Sequence, residues 1–467
     1  MPESSFQDYL HSDKSPSESF TISPTNCEEI LKVINSFSSS NCEGPDHISP
    51  RLFKLGSKSL CVLLTNMINQ CFLQGYFPKC LKTAKVIPIF KGGNVEELGN
   101  WRPISITCAT SKLIEKLIKK RLSSFLSKHD ILSSYQFGYR SSHSTNHAIL
   151  NISDRILRNL DAKLNTVSIF SKGFDCVDHK ILLKKLYHYG IRGVSLDFFT
   201  SYLTNRTQFT VVDGVVSNLL EVLCGVPQGS VLGPLLFLLY TNDLCNASNF
   251  YINLFADDTC LSLWDSDLIS LKNRCNIEAE KIHKWFIANR LTTNSKKASN
   301  FILSTYSNRS ADDSFKISMG NVELKKVDHV KYLGVYLDEK ITWSKQIEHL
   351  SSMLSRCAGI FSKLRYYLDT KTLVEMYHAL FNSKLQYGIL CWGSASTTNL
   401  NQLQVLQNRA IRNLTKAPRY YRLDNYYLNL RILKVQNLYD LEVAKFMNDH
   451  YKKHFACEFY LIFSYEQ

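Results

Sequence analysis

A chain of 467 residues with 45% hydrophobic content can bury a large core and should split into two or three subdomains, which fits a globular protein and excludes a short stapled one. Its formal net charge of +14 and pI near 9.0 point to a polyanionic partner, nucleic acid first and an anionic membrane surface second, because Lys and Arg that neutralise phosphates release condensed counterions. Fourteen cysteines without a C-x-x-C pair or a paired Cys/His cluster indicate neither a disulfide nor a zinc framework, and no stretch is apolar and long enough to span a bilayer, so an intracellular protein, nuclear or cytoplasmic, is expected.

Residues up to about Pro24 are rich in Ser, Pro and charge and read as a mobile tail. A helical pattern starts at Asn26 (Ile30, Leu31, Ile34), the turn-rich Gly44-Pro45-Asp46-His47-Ile48 follows, and a second helix is expected near Leu60 to Gln70. Ala84 to Phe90 reads as a strand entering Gly92-Gly93, and Asn100-Trp101-Arg102-Pro103-Ile104-Ser105 as its partner, with Lys91 and Arg102 on a shared face. That pair suits a triphosphate, a point charge beside a planar fork, and equally two solvated surface cations. Ser111 to Ser127 predicts an amphipathic helix with Leu113, Leu117, Ile118, Leu122 and Phe125 inside and four lysines outside, a face that tracks phosphates or is simply solvated.

A helix around Ala148 to Leu160 leads to a strand over Thr166 to Ser171, then to the turn Ser171-Lys172-Gly173-Phe174-Asp175 and a helix near Lys180. Thr207 to Val216 predicts a hairpin with an Asp213-Gly214 turn. Two aspartates in Phe255-Ala256-Asp257-Asp258-Thr259 lie between short apolar runs, a hairpin whose dipeptide alone would be an ordinary turn. Leu268 to Leu291 is mostly helical, and Leu350 to Leu364 and Leu373 to Phe381 each carry one buried stripe. Near the C-terminus Arg409, Arg412, Lys416 and Arg419 interleave with Tyr420, Tyr421, Tyr426 and Tyr427, a mixture suited to phosphates and bases, with a mundane helix surface as the alternative.

Gly225-Val226-Pro227-Gln228-Gly229-Ser230, Tyr240-Thr241-Asn242-Asp243-Leu244, F-A-D-D at Phe255 to Asp258, and Tyr387 to Gly393 (Y-G-x-x-x-W-G) occur in an order that resembles the LINE-type (non-LTR) retrotransposon reverse transcriptases. The resemblance runs from about Cys27 to about Tyr465. It implies an α+β, right-hand polymerase fold of fingers, palm and thumb, with an antiparallel palm sheet and a helical thumb. The implied division is a tail over 1–25, a helical extension over 26–70, fingers and palm over 71–338, and a helical thumb and C-terminal region over 339–467. An endonuclease domain usually precedes this region in the family, so a fragment or truncated copy is expected. The implied activity is RNA-directed DNA synthesis on an RNA template and DNA primer with dNTPs, using two Mg²⁺ ions, or Mn²⁺.

The resemblance also implies residue roles. Asp257 and Asp258 would be the catalytic, metal-binding carboxylates; Lys91, Arg102, Phe174, Gln228 and Lys297 would contact the incoming nucleotide, Phe174 as the steric gate against a 2′-OH. Tyr332-Leu333-Gly334 would grip the primer, and Arg409, Arg412, Lys416 and Arg419 would hold nucleic acid. One departure stands out: the family's D-x-x-K-A-F-D begins with a third catalytic carboxylate, and here that position holds Ile169. Two ions about 4 Å apart in near-octahedral oxygen ligation need that bridging group, and an isoleucine offers no oxygen. The expectation is therefore an impaired polymerase, or a catalytically dead polymerase-like nucleic-acid binder, with Ile169 beside Asp257 and Asp258 and Ile169→Asp restoring activity. A group II intron maturase or an RNA-templated RNA polymerase is the third reading, which the retrotransposon-type blocks disfavour.

Overall fold

The first helices begin where side chains can satisfy free backbone N–H groups. In the computed structural model, which describes residues 5–11, 14–172, 174, 175, 177–293, 300–305, 315–418 and 420–452, Asn26 caps α1 (Cys27–Asn35) and Ser49 caps α2 (Pro50–Gln74). Helix α2 has Pro50 in its first turn and ends at Gly75 in the left-handed conformation, so it is longer than the Leu60 to Gln70 helix expected. There follow β1 (Thr83–Phe90), β2 (Trp101–Ile106), α3 (Ala109–Lys128), α4 (Thr145–Asp161), β3 (Asn165–Lys172), β4 (Phe174–Asp175), α5 (His179–His188) and α6 (Val194–Leu203). The middle of the chain forms β5 (Thr207–Val212), β6 (Val215–Val216), β7 (Leu220–Glu221), α7 (Gly233–Thr241), β8 (Tyr251–Phe255), β9 (Asp258–Asp265), α8 (Leu268–Ala288) and β10 (Thr292–Thr293). Beyond it lie β11 (Asn300–Ser304), β12 (Ser318–Met319), β13 (Val322–Glu323), β14 (Lys325–Lys326), β15 (His329–Tyr332) and β16 (Val335–Asp338). Helices α9 (Ser344–Leu364), α10 (Thr370–Tyr377), α11 (Ser383–Gln386), α12 (Ile389–Trp392), α13 (Thr397–Thr415), α14 (Asp424–Leu430) and α15 (Val435–Tyr451) complete the described chain.

Contacts divide the chain into two compact units, Met1–Gln136 with Gly173–Ser248 and Lys281–Ser295, and Phe137–Lys172 with Asn249–Glu280 and Lys296–Gln467. In the first, β2, β1, β5 and β6 form a sheet in that order with β7 on β5, and β1 pairs β5 in parallel. Aromatic edges fill its core, Phe77 and Phe72 each 5.9 Å from Phe198 and Phe77 5.1 Å from Tyr202. Helix α1 is tied to α3 by Glu29, which accepts from Arg121 at 2.7 Å and Lys120 at 2.9 Å.

In the second unit the sheet order is β14-β11-β3-β9-β8, with β3 antiparallel to both its neighbours. Val167, Ile169, Cys260, Leu261, Phe301 and Ile302 are buried, so the central strands are covered on both faces. The same unit holds the C-terminal helices, packed about Leu354, Phe361, Tyr377, Phe381, Trp392, Leu403 and Ile411. No helix among the described residues is long and apolar enough to cross a membrane.

Candidate functional site

Asp257 and Asp258 occupy the tip of a two-residue hairpin. Phe255 pairs with Asp258 across β8 and β9, leaving Ala256 and Asp257 to make the turn. Ala256 sits at φ 56, where its Cβ costs about 1 kcal/mol, a strain paid at the one point that turns the chain under two adjacent carboxylates. Asp257 is exposed and Asp258 half-buried at the first position of β9.

Directly opposite residues of an antiparallel pair share a face, and successive residues alternate. Asp258 is opposite Lys172, Cys260 opposite Phe170 and Ser262 opposite Ser168, whose hydroxyls meet at 3.0 Å. Asp258 therefore shares a face with Phe170, whose ring lies 5.4 Å from that of Tyr332. Burial pushes the Tyr332 phenol well above its ordinary range, and the nearby Cys260 and Asp258 push the same way. Ile169 is opposite Leu261 on one side and Phe301 on the other, fully buried on the other face of the sheet. The expectation that Ile169 would lie beside Asp257 and Asp258 is thus corrected: it is three ladder positions from Asp258, roughly 10 Å of strand, and points away from it. The odd separation decides the face, which motif spacing alone does not reveal.

Tyr332, Leu333 and Gly334 lie at the β15–β16 turn, where Tyr332 pairs with Val335 and the two turn residues take φ 46 and 86. That left-handed pair is a turn type whose twist matches the strands. The Tyr387 hydroxyl donates to the Leu333 carbonyl at 2.6 Å, and a Cβ on Gly334 would come within 2.9 Å of the Tyr387 ring. Gly388 is left-handed and the Trp392 indole donates to the Tyr387 carbonyl at 2.9 Å, so the Y-G-x-x-x-W-G run is a brace under this hairpin.

In the first unit Arg102 is opposite Ile89, and the Lys91 N–H donates to the Asn100 carbonyl, extending the ladder so that exposed Lys91 and Arg102 fall on one face. Gln228 is exposed, while its carbonyl accepts from the Ser105 N–H at 2.7 Å. Gly229 at φ 111 leaves only 2.8 Å between a built Cβ and the Ser105 carbonyl, so glycine is needed there for close approach. The backbone of Phe174 pairs with Thr293. Lys297 and Arg419 fall outside the described residues.

Two buried groups were missed by sequence reasoning. Glu115 is fully buried; it accepts from the Val231 and Leu232 N–H groups at 2.6 and 3.2 Å and from the Ser111 hydroxyl at 3.1 Å, clamping the chain just after Gln228. Burial pushes its carboxyl up, opposed by those donors and by Arg206. Its signal was an acid on the apolar stripe between Ile114 and Leu117. Lys185 donates to Asp243 at 2.6 Å and to the Tyr240 carbonyl at 2.6 Å, under the rings of Tyr240 and Trp285. Burial pushes the lysine down and the aspartate up, against their mutual attraction. No spacing in the sequence joins residues so far apart.

Arg409 and Lys416 are exposed on and just beyond α13, and Arg412 is half-buried. A cleft of about 460 Å³ beside them is lined by Arg412, Arg422, Lys434, Tyr420, Tyr421 and Tyr427 among others, with Tyr420 91% exposed and the Arg412 Nε buried without a hydrogen-bond acceptor.

Residues 89–337 match the family described as Reverse transcriptase (RNA-dependent DNA polymerase). The chain is 31% identical, over 96% of its length, to a Probable RNA-directed DNA polymerase from transposon BS of Drosophila melanogaster, and covers 51% of that protein. It is 26% identical to the RNA-directed DNA polymerase from mobile element jockey of the same fly, over 92% of the chain and 48% of the relative. A further relative is the Retrovirus-related Pol polyprotein from type-1 retrotransposable element R1 of Bradysia coprophila, 23% identical over 79% of the chain and 37% of that protein. The chain spans about half the length of the first two.

Proposed function

Because this chain belongs to the reverse transcriptase family, in its non-LTR retrotransposon branch, we propose that it is the polymerase portion of an intracellular RNA-directed DNA polymerase whose nucleotidyl transfer is impaired. RNA template, DNA primer and dNTPs are its partners in this reading. The β1–β2 ribbon serves as fingers, the β14-β11-β3-β9-β8 sheet as palm and the C-terminal helices as thumb, with the divisions 1–25, 26–70, 71–338 and 339–467. Lys91 and Arg102 take the triphosphate, Phe174 the sugar, Gln228 the nucleotide and template, Lys297 the leaving pyrophosphate, and Tyr332-Leu333-Gly334 the primer end. Arg409, Arg412, Lys416 and Arg419 hold the nucleic-acid backbone.

Reverse transcriptases use divalent metal ions, and a pair of them, Mg²⁺ or Mn²⁺, needs carboxylates converging from adjacent strands. The single observation that carries the impairment is the ladder: Asp258 faces Lys172, and β3 holds no acid from Asn165 to Lys172. Among the described residues no group of three or more His, Cys, Asp or Glu is placed to hold an ion. Asp257 and Asp258 alone do not fit a two-ion site. That same observation favours the second reading, a polymerase-shaped binder without catalysis.

The test pairs two assays on the full chain: filter binding of a primer–template across a salt series, and primer extension on poly(rA)/oligo(dT) with Mg²⁺. Strong salt-dependent binding with little or no extension is expected. Binding without salt dependence would remove the nucleic-acid reading, and brisk extension would remove the impairment.

A further inference from the structure

Two counts along the chain place the motif's first carboxylate at different residues. In D-x-x-K-A-F-D the first aspartate precedes the last by six positions, which from Asp175 leads back to Ile169. Counted across the sheet, the residue that faces Asp258 is Lys172, three positions before Asp175. A carboxylate that shares ions with the F-A-D-D pair must lie on the face of Asp258 and near it, because facing Cβ atoms are about 5 Å apart and oxygen ligands sit about 2.1 Å from Mg²⁺.

Neither count can slide to meet the other. Upstream, β3 is held by a continuous ladder from Asn165↔Asp265 to Lys172↔Asp258, by five pairs to β11, by the Ser168–Ser262 contact and by Phe170 against Tyr332. A three-residue slip is odd and would turn every buried β3 side chain to the wrong face. Downstream, Phe174 and Asp175 pair with Thr293 and Thr292, and Asp178 caps α5 by accepting from the Lys180 and Ile181 N–H groups at 2.8 and 3.0 Å.

We infer that this chain lacks three residues between Phe170 and Ser171 relative to the complete motif, the carboxylate among them, so the defect is a shortened strand-to-helix connection and not an exchange at Ile169. Inserting Leu-Asp-Phe at that point satisfies both counts at once. Its aspartate falls opposite Asp258, and it precedes the aspartate now numbered Asp175 by six positions, with Lys172 restored to the motif's lysine place. No single substitution does both: Ile169→Asp has the spacing but the wrong face, and Lys172→Asp has the face but loses the lysine and halves the spacing. The inference rests on the proposed reading of β3 as the strand that carries the first carboxylate.

The experiment is Mn²⁺ titration of the full chain, followed by the electron paramagnetic resonance signal of free Mn²⁺, for the natural chain, Ile169→Asp, and insertions of Leu-Asp-Phe and of Leu-Asn-Phe. The Leu-Asp-Phe chain is expected to bind Mn²⁺ at least tenfold more tightly than the other three, and Ile169→Asp to lower Tm without gaining affinity. Equal gain in Ile169→Asp, or no difference between folded Leu-Asp-Phe and Leu-Asn-Phe chains, overturns the inference. Should the insertions not fold, oxidation of the natural-length chain decides: a Lys172→Cys/Asp258→Cys pair is expected to cross-link and an Ile169→Cys/Asp258→Cys pair not to, as read by peptide mass, and the reverse pattern contradicts the register. Salt-dependent nucleic-acid binding should be the same in the natural chain and the two insertion chains when they fold, so its loss in the natural chain counts against the functional reading, whereas a failed Mn²⁺ gain with binding intact counts only against the shortening.

Discussion

Ile169 shows how much a single position can mean once its face is known. It is fully buried between Leu261 and Phe301, so Ile169→Asp places a carboxylate in a buried layer, and the expected result is a loss of several kcal/mol in chemical denaturation. A conservative Ile169→Val should cost only about 1 kcal/mol by the same measurement. Lys185 and Asp243 make the complementary case of charges that are buried and matched. Lys185→Met alone strands the aspartate and is expected to cost about 3–5 kcal/mol, while Lys185→Met with Asp243→Leu should recover much of that, a difference a double-mutant cycle reads directly. A double change that costs the sum of Lys185→Met and Asp243→Leu would mean that the pair contributes nothing as a pair.

At the scale of elements, the attachment of α1 to α3 should be pH-dependent. Burial pushes the Glu29 carboxyl up, but hydrogen bonds from Arg121, Lys120 and Thr25 outweigh it and hold the group at about 2 against an ordinary 4.5. A carboxylate with a lowered folded pKa stabilises the fold fully above its unfolded value and loses that contribution as pH falls from about 4.5 towards 2. After allowance for solvent screening the effect is about 2 kcal/mol, and Glu29→Gln should flatten the stability profile in that window. Much at this scale was legible in the sequence: the strands flanking Asp257, the V-K-Y-L-G-V-Y-L-D hairpin and the amphipathic α3 all follow from local apolar period and turn chemistry. The length of α2 was not, because its first turns from Pro50 carry a weak apolar stripe beside a good cap. Nor was the parallel pairing of β1 with β5, whose partners are more than a hundred residues apart and leave no local signal. In the cleft beside α13, Arg412→Ala and Tyr420→Ala should each weaken single-stranded oligonucleotide binding as read by fluorescence anisotropy, the arginine change also lowering the salt slope by about one unit.

Across the whole molecule, motif order made the family readable, yet the state of the site lay in a register. A pattern counted along one strand places a residue but does not say which face it joins, and Asp258 meets β3 through pairing partners supplied by a stretch about ninety residues earlier. Charge acts at the same scale: in the proposed reading the +14 balance sets a salt-dependent hold on nucleic acid that does not need catalysis to survive. The central claim joins the two, a reverse transcriptase chain that retains its grip and has lost the carboxylate facing Asp258. It is tested most directly by primer extension on poly(rA)/oligo(dT) with Mg²⁺, comparing the natural chain, the Leu-Asp-Phe insertion after Phe170, and that insertion combined with Asp257→Ala. The account predicts little synthesis by the natural chain, a gain of at least a hundredfold on insertion, corresponding to about 2.7 kcal/mol of barrier, and loss of that gain with Asp257→Ala. Brisk synthesis by the natural chain, abolished by Asp257→Ala alone, would contradict it.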